Sequence, residues 1–430
     1  MTGLLIRRAE IDGRVADVRV RGRSVAGIGD LESLPGESEV DAAGGALLPG
    51  LHDHHLHLLS LAASARSVRC GPPEVRDVDG LARALRGAPG RWVRGIGYHE
   101  SVAGLPDRHA LDRLVADRPV RLQHRGGALW MLNSVALREL GLLREYEDGR
   151  LWRADALLRE RLGVQDPPDL AAAGRRLAAL GVTGVTDATP DLPAETVELL
   201  TSGALPQRLH LLGAPGSAAP RKILPADHRP PDFDALREEI GRTHQTGRPV
   251  AVHAVTRESL VVTLAVLAET GTLPGDRIEH AAVVSLDTIP LLAGLVVVTQ
   301  PSFVAERGAE YRRDIPESEH ADLYRYASLL EGGVKVVSSS DAPFASEDPW
   351  RTIAAATRRE LGPQERVPAR TVLDGMLTPL EDPGGAPRRV AVGAPADLCL
   401  LRVPLAMALS TPDADMVAVT ICGGRIEYRS

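Results

Sequence analysis

The sequence predicts an α/β protein: a (β/α)8 barrel, a small β-domain assembled from both chain ends, and a subdomain inserted after the first barrel strand. Three observations predict it. Both termini carry short alternating apolar runs punctuated by turn signals. The interior alternates short apolar runs with helix-like segments, the pattern of parallel strands joined by crossover helices. One interval, residues 58–175, is far too long for a single crossover. At 430 residues the chain can bury one large core and a smaller companion.

Residues 4–30 read as strands around Asp12-Gly13, a two-residue hairpin signal. ALLPGLHDHHLH (46–57) is expected to be the first barrel strand. The insertion contains strand-like runs of its own, RWVRGIGYHE (91–100) and RPVRLQHRGG (118–127), and is expected to be lid-like, because such insertions commonly roof a pocket. Seven further barrel strands are expected at 182–188, 208–214, 221–226, 249–255, 277–284, 295–301 and 334–342. The third and fourth lie about six residues apart, too few for a helix between them. EDPGGAPRRVAVGAP (381–395) reads as a linker, and ADLCLLRV (396–403) and MVAVTICGGRIEYRS (416–430), the latter with a Gly423-Gly424 turn, read as strands. The terminal β-domain is therefore placed at 1–45 plus 388–430, and the barrel at 46–387.

A net charge of −7 and 3% aromatic residues argue against nucleic acid as a partner. The three cysteines, Cys70, Cys399 and Cys422, are odd in number and far apart, so neither a disulfide framework nor a thiolate metal site is expected. With no secretory-type leader and no run of eighteen apolar residues, the expectation is a cytoplasmic protein without a membrane partner. Lys222 and Lys335 are the only lysines among fifty basic residues.

GLHDHHLHL (50–58) places four of thirteen histidines within six positions. Spacing of i, i+2 puts two side chains on one face of a strand, so His55 pairs with His57, and His52 with His54 on the opposite face. An isolated His-x-His is more often a solvated strand end than a ligand pair. Here the proposed strand ends also offer Lys222, His253, His280 and Asp341, and in a barrel such ends converge on one axis. Four imidazoles and a carboxylate suit Zn2+ or a similar divalent ion.

The words LLPGLHDHHLH, PVRLQHRGGALWMLNSVAL, GVTGVTDA, RPVAVHAV, RIEHA, VVTQPSF, SSDAP and GAPADLCLL resemble the amidohydrolase superfamily, in particular amidohydrolase family 3, which includes N-substituted formamide deformylases. The resemblance covers nearly the whole chain. It implies a metal-dependent hydrolase barrel with a β-sandwich made from both termini, metal ligands at His55, His57, His253, His280 and Asp341, and no metal role for His52 or His54. It also implies that Lys222, carboxylated on its amine, bridges two Zn2+ ions, although Arg221-Lys222-Ile223 departs from the family's usual Val-Lys-Leu or Val-Lys-Ile. Two further departures fall near the expected pocket. His253-Ala254-Val255-Thr256-Arg257 stands where relatives often read His-Ala-Ile-Gly-Asp, and Gly126-Gly127-Ala128 where they often read Ser-Gly-His.

The expected chemistry is hydrolysis of a C–N bond in an amide, formamide, carbamate or cyclic amide through a metal-bound hydroxide, with Asp341 as general base and then general acid. Expected substrate contacts are Tyr98, His99, Glu100, His124, Arg125 and Trp130 from the insertion, and Gln300, Phe303 and Arg307 after the seventh strand. The partner is then a small molecule, and homo-oligomerisation is left open. Two alternatives stand beside this reading: a mononuclear deaminase-like hydrolase in which Lys222 is only structural, and a non-catalytic binding protein on the same barrel.

Overall fold

VVVT (296–299) and VAVHA (250–254) are apolar runs rich in valine, whose branched Cβ suits a pleated surface, and both are too short for a stable helix. They are two of eight parallel strands in the computed structural model, which describes residues 3–163, 168–225 and 230–430. These strands are β1 (Leu51–Leu56), β2 (Val182–Asp187), β3 (Arg208–Leu211), β4 (Arg221–Ile223), β5 (Val250–Ala254), β6 (Arg277–His280), β7 (Val296–Thr299) and β8 (Lys335–Ser338). The last residue of the strand expected at 221–226 lies outside the described residues.

Strands β1, β2 and β3 form one parallel sheet, with β2 central, and β4 to β8 form a second in sequence order. Backbone hydrogen bonds link the two sheets at both junctions. Lys222 N donates to Leu212 O at 3.3 Å, Asp341 N to His55 O at 2.8 Å, and His57 N to Ala342 O at 2.9 Å. Helices follow most strands, among them Phe233–Gln245 after β4, Arg257–Thr270 after β5 and Pro301–Asp314 after β7. The helix after β5 starts on a reciprocal cap between Thr256 and Ser259, which satisfies backbone N–H groups that have no intrahelical partner. Between β3 and β4 the described chain has no helix, as the short spacing required.

The stretch 46–57 is two strands rather than one. Leu47–Pro49 pairs antiparallel with Leu398–Leu401, and only Leu51–Leu56 joins the parallel sheet. The change of partner occurs at Gly50, where an added Cβ would lie 2.1 Å from Thr183 Cγ2. No side chain fits so close an approach.

The chain ends build two four-stranded sheets. One orders its strands as Ser24–Gly29, Arg14–Arg21, Leu4–Ile11 and Ser38–Asp41, and the other as Arg425–Arg429, Val417–Cys422, Leu398–Leu401 and Leu47–Pro49. Leu4, Ile6, Val18 and Val20 from the first share one buried core with Leu398, Leu400, Val419 and Ile421 from the second. Asp12-Gly13 and Gly423-Gly424 are two-residue hairpin turns with φ of 47°, 78°, 55° and 80° in turn, the positive values a type I′ connection needs.

Residues Leu59–Asp169 form a compact unit of their own. Its five strands run in the order Arg150–Trp152, Leu129–Leu132, Val120–His124, Val93–Tyr98 and Val68–Arg69. Alternate residues of Leu129–Leu132 feed separate cores on the two faces, Leu129 and Met131 one and Trp130 and Leu132 the other. Among the described residues no helix is long and apolar enough to cross a membrane.

Candidate metal centre

Strand β1 delivers His55 at its penultimate position and His57 one residue beyond its end, with both rings on one side and their centroids 5.5 Å apart. Asp341, three residues past β8, meets them. Its Oδ1 lies 3.5 Å from His55 Nε2 and 3.3 Å from His57 Nε2. One ligand atom from each of the three falls within 4.8 Å of the others. The His280 ring, from the end of β6, lies tilted with its centroid 4.9 Å from that of His55, and the His253 ring, from β5, lies 4.6 Å from His280. Lys222 on β4 is only 3% exposed, and its charge helps hold the His55 and His280 imidazoles below their ordinary pKa, behind burial as the main cause. His55, His57 and Asp341 thus bring ligand atoms together, with the His280 and His253 rings beside them and Lys222 in the middle of β4.

The donor atoms suit a cation. His280 Nδ1 lies 2.8 Å from the Gln300 amide oxygen, and that amide's nitrogen donates to Val298 O and Ser339 Oγ. The oxygen therefore accepts from Nδ1–H, and the lone pair of His280 is on Nε2. His57 Nδ1 is 3.2 Å from Thr189 Oγ1, and His55 Nδ1 is engaged by Glu279. Asp341 Oδ1 is buried and accepts no well-formed hydrogen bond. Burial pushes the Asp341 carboxyl up, yet His57, His55 and His280 together outweigh that and hold it well below the usual carboxylate range. It is an anion facing imidazole nitrogens, a donor set with the composition of a divalent-ion site.

The backbone is strained at this point. His280, Ala281 and Asp341 have φ of 72°, 45° and 54°, a region that side chains with a Cβ rarely occupy. The carbonyl of His55 fixes Asp341 through its N–H, and Ala282 N is tied to Ala254 O at 3.2 Å.

His52 and His54 turn the other way. His52 Nδ1 bonds Thr378 O at 2.8 Å, and His54 Nε2 lies 3.1 Å from Gly375 O and 3.0 Å from Thr378 Oγ1. Burial depresses both, His54 to about 3.

Among the residues expected to touch substrate, Gln300 is fully buried beneath His280. Phe303 sits in an apolar cluster with Tyr324 and Ala345. The Arg307 guanidinium lies 4.0 Å over the Phe303 ring and donates to Phe344 O, and the Phe344 ring meets His57 edge-on at 5.5 Å. Within the inserted unit, Glu100 bonds His124 at 2.8 Å and lies 3.3 Å from His99. Tyr98 is buried with its hydroxyl on Gly104 O, and Arg125 N donates to Tyr98 O. Trp130 is buried, with the Arg94 and Arg121 guanidiniums each 5.7 Å from its ring, and bonds Asp155 at 3.0 Å.

Glu279, Thr189 and Phe344 escaped the sequence reading. Glu279 had a signal, since an acidic residue beside His280 in a buried strand must find a counter-charge. The other two are placed by turns after β2 and β8.

The model of the amidohydrolase family matches residues 38–428. The chain belongs to that family. As a member it is an enzyme of the hydrolase class, as the motifs led one to expect. It is 24% identical to the putative amidohydrolase YtcJ of Bacillus subtilis (strain 168), over 85% of this chain and 84% of that protein. It is also 24% identical to the N-substituted formamide deformylase of Arthrobacter pascens, over 79% and 80% of the respective chains. An uncharacterized metal-dependent hydrolase from Pyrococcus horikoshii OT3 shares the fold with a TM-score of 0.72 at 19% identity, covering 99% of this amidohydrolase and all of that structure.

Proposed function

We propose that this amidohydrolase cleaves a C–N bond of a small amide, formamide, carbamate or cyclic amide at a binuclear centre held by His55, His57, His253, His280, Asp341 and a carboxylated Lys222. The observation that carries the reading is the convergence of His55 Nε2, His57 Nε2 and Asp341 Oδ1 at the strand ends. In the same reading the eight parallel strands close as a (β/α)8 barrel, the terminal sheets pack as a β-sandwich, and the ions are Zn2+. The kinship with a deformylase supports C–N chemistry. Three buried free thiols fit a cytoplasmic location.

Bound divalent ions supply a Lewis-acid centre that polarises a carbonyl and brings the pKa of water near neutrality. Asp341 takes the proton of the attacking water and returns it to the departing nitrogen. Gln300 fixes the tautomer of His280, so that its Nε2 presents a lone pair rather than an N–H, and Thr189 orients the His57 ring through Nδ1. The phenyl ring of Phe344 packs against His57 and limits water on that side.

Lys222 decides between two metals and one. A neutral amine that reacts with CO2 releases a proton and would offer two oxygens that share one negative charge, whereas arginine stays protonated and forms no carbamate. Lys222→Ala is expected to lose at least one of two metal equivalents together with amide hydrolysis, and acetate or formate to restore part of both. Lys222→Arg is expected to stay inactive in either acid. Metal analysis beside assays on N-formyl, N-acyl and cyclic amides checks this. Full metal and full activity in Lys222→Ala would discard the bridge in favour of the mononuclear reading.

A further inference from the structure

The imidazoles of the centre rest on unlike acceptors. His57 Nδ1 meets a hydroxyl and His280 Nδ1 an amide oxygen, both neutral. His55 Nδ1 instead donates to a carboxylate, Glu279 Oε2, with both side chains at most 1% exposed. The second oxygen of Glu279 accepts from Arg277 Nε, and Arg277 Nη2 donates to the backbone carbonyl of His54 at 2.8 Å. Guanidinium, carboxylate and imidazole thus form one buried line that leaves β6 and ends on the strand carrying His55.

A carboxylate this deep persists as an anion only beside opposing charge. The Arg277 guanidinium supplies that charge, since its Nε donates to Glu279 Oε1 and both side chains are at most 1% exposed. Fixed as an anion, Glu279 can only accept. It therefore holds the proton of His55 on Nδ1 and leaves the lone pair on Nε2, the nitrogen that faces Asp341. An anionic acceptor also raises the donor strength of the ring more than a hydroxyl or an amide does.

We infer that Glu279, anchored by Arg277, is the positioning residue that makes His55 a stronger metal donor than His57 or His280. The inference rests on the metal reading above, and its test is made on metal affinity rather than turnover. Zn2+ affinity of the full chain is measured by competition with a chromogenic chelator, beside the melting temperature of the metal-free protein. Glu279→Gln keeps a neutral acceptor and is expected to weaken Zn2+ binding by about tenfold, within the ~10–100-fold range typical of such outer contacts. Glu279→Leu would strand the Arg277 charge, so the double variant Arg277→Met/Glu279→Leu is used for complete removal, with an expected loss near ~100-fold. Gln300→Leu, which removes a neutral acceptor from His280, is expected to cost less than the double variant. The graded order, at an unchanged metal-free melting temperature, separates positioning from a general packing defect. Glu279→Gln and the double variant both binding within about twofold of wild type would overturn the inference while leaving the metal centre intact. Wild-type protein that took up no Zn2+ would overturn the metal reading and this inference with it.

Discussion

At the scale of the residue, strand parity sorts four neighbouring histidines into two chemistries. His55 and His57 face Asp341, while His52 and His54 bond the carbonyls of Thr378 and Gly375. His55→Ala or His57→Ala should abolish metal uptake and activity. His54→Ala should keep the metal and cost roughly 1–3 kcal/mol of stability, the usual penalty for leaving a buried partner unsatisfied. Metal analysis and urea unfolding distinguish the two, and equal metal loss in His54→Ala would refute the assignment of faces. Asp341 carries a second role as proton shuttle. Asp341→Asn should retain much of the metal yet lower turnover by on the order of 10². Turnover close to wild type in a metal-loaded Asp341→Asn would rule the shuttle out.

At the scale of the element, Gly50 is the point where one extended stretch changes sheets. Strand Leu47–Pro49 ends against Leu398–Leu401, and β1 begins immediately after it. A methyl group at Gly50 would press on Thr183 of β2, so Gly50→Ala should cost about 1–3 kcal/mol through overpacking. A denaturation midpoint unchanged from wild type would contradict the close approach. The strands themselves were legible, because β5, β7 and β8 are valine-rich runs bounded by turn residues. The division at Gly50 was not. Both halves are fully buried strands, and what separates them is a partner strand contributed by residues 398–401 at the far end of the chain.

At the scale of the whole molecule, histidines buried in the neutral form make the protein sensitive to acid. His210 on β3 is depressed to about 4, by burial first and by Arg277 second, against an ordinary value near ~6.5. The unfolded chain therefore binds a proton that the folded chain refuses. The stabilisation from this group is fully present above about pH 6.5 and is lost as pH falls toward 4, roughly 3 kcal/mol at most. Metal-free protein should lose unfolding free energy between pH 7 and pH 5, and His210→Gln should lose less over the same range. Identical losses in the two would exclude His210 as a source. The sequence by itself determined the order of parallel strands, the hairpin turns at Asp12-Gly13 and Gly423-Gly424, and the residue types able to hold a metal, because each follows from local periodicity and side-chain chemistry. Tertiary structure alone decided that Asp341 meets His55 across 286 positions of chain, and that Glu279 and Gln300 lie under imidazoles rather than open to substrate. Those contacts depend on which strands become neighbours and on backbone turned to positive φ at His280 and Asp341, and neither leaves a periodic mark in the sequence.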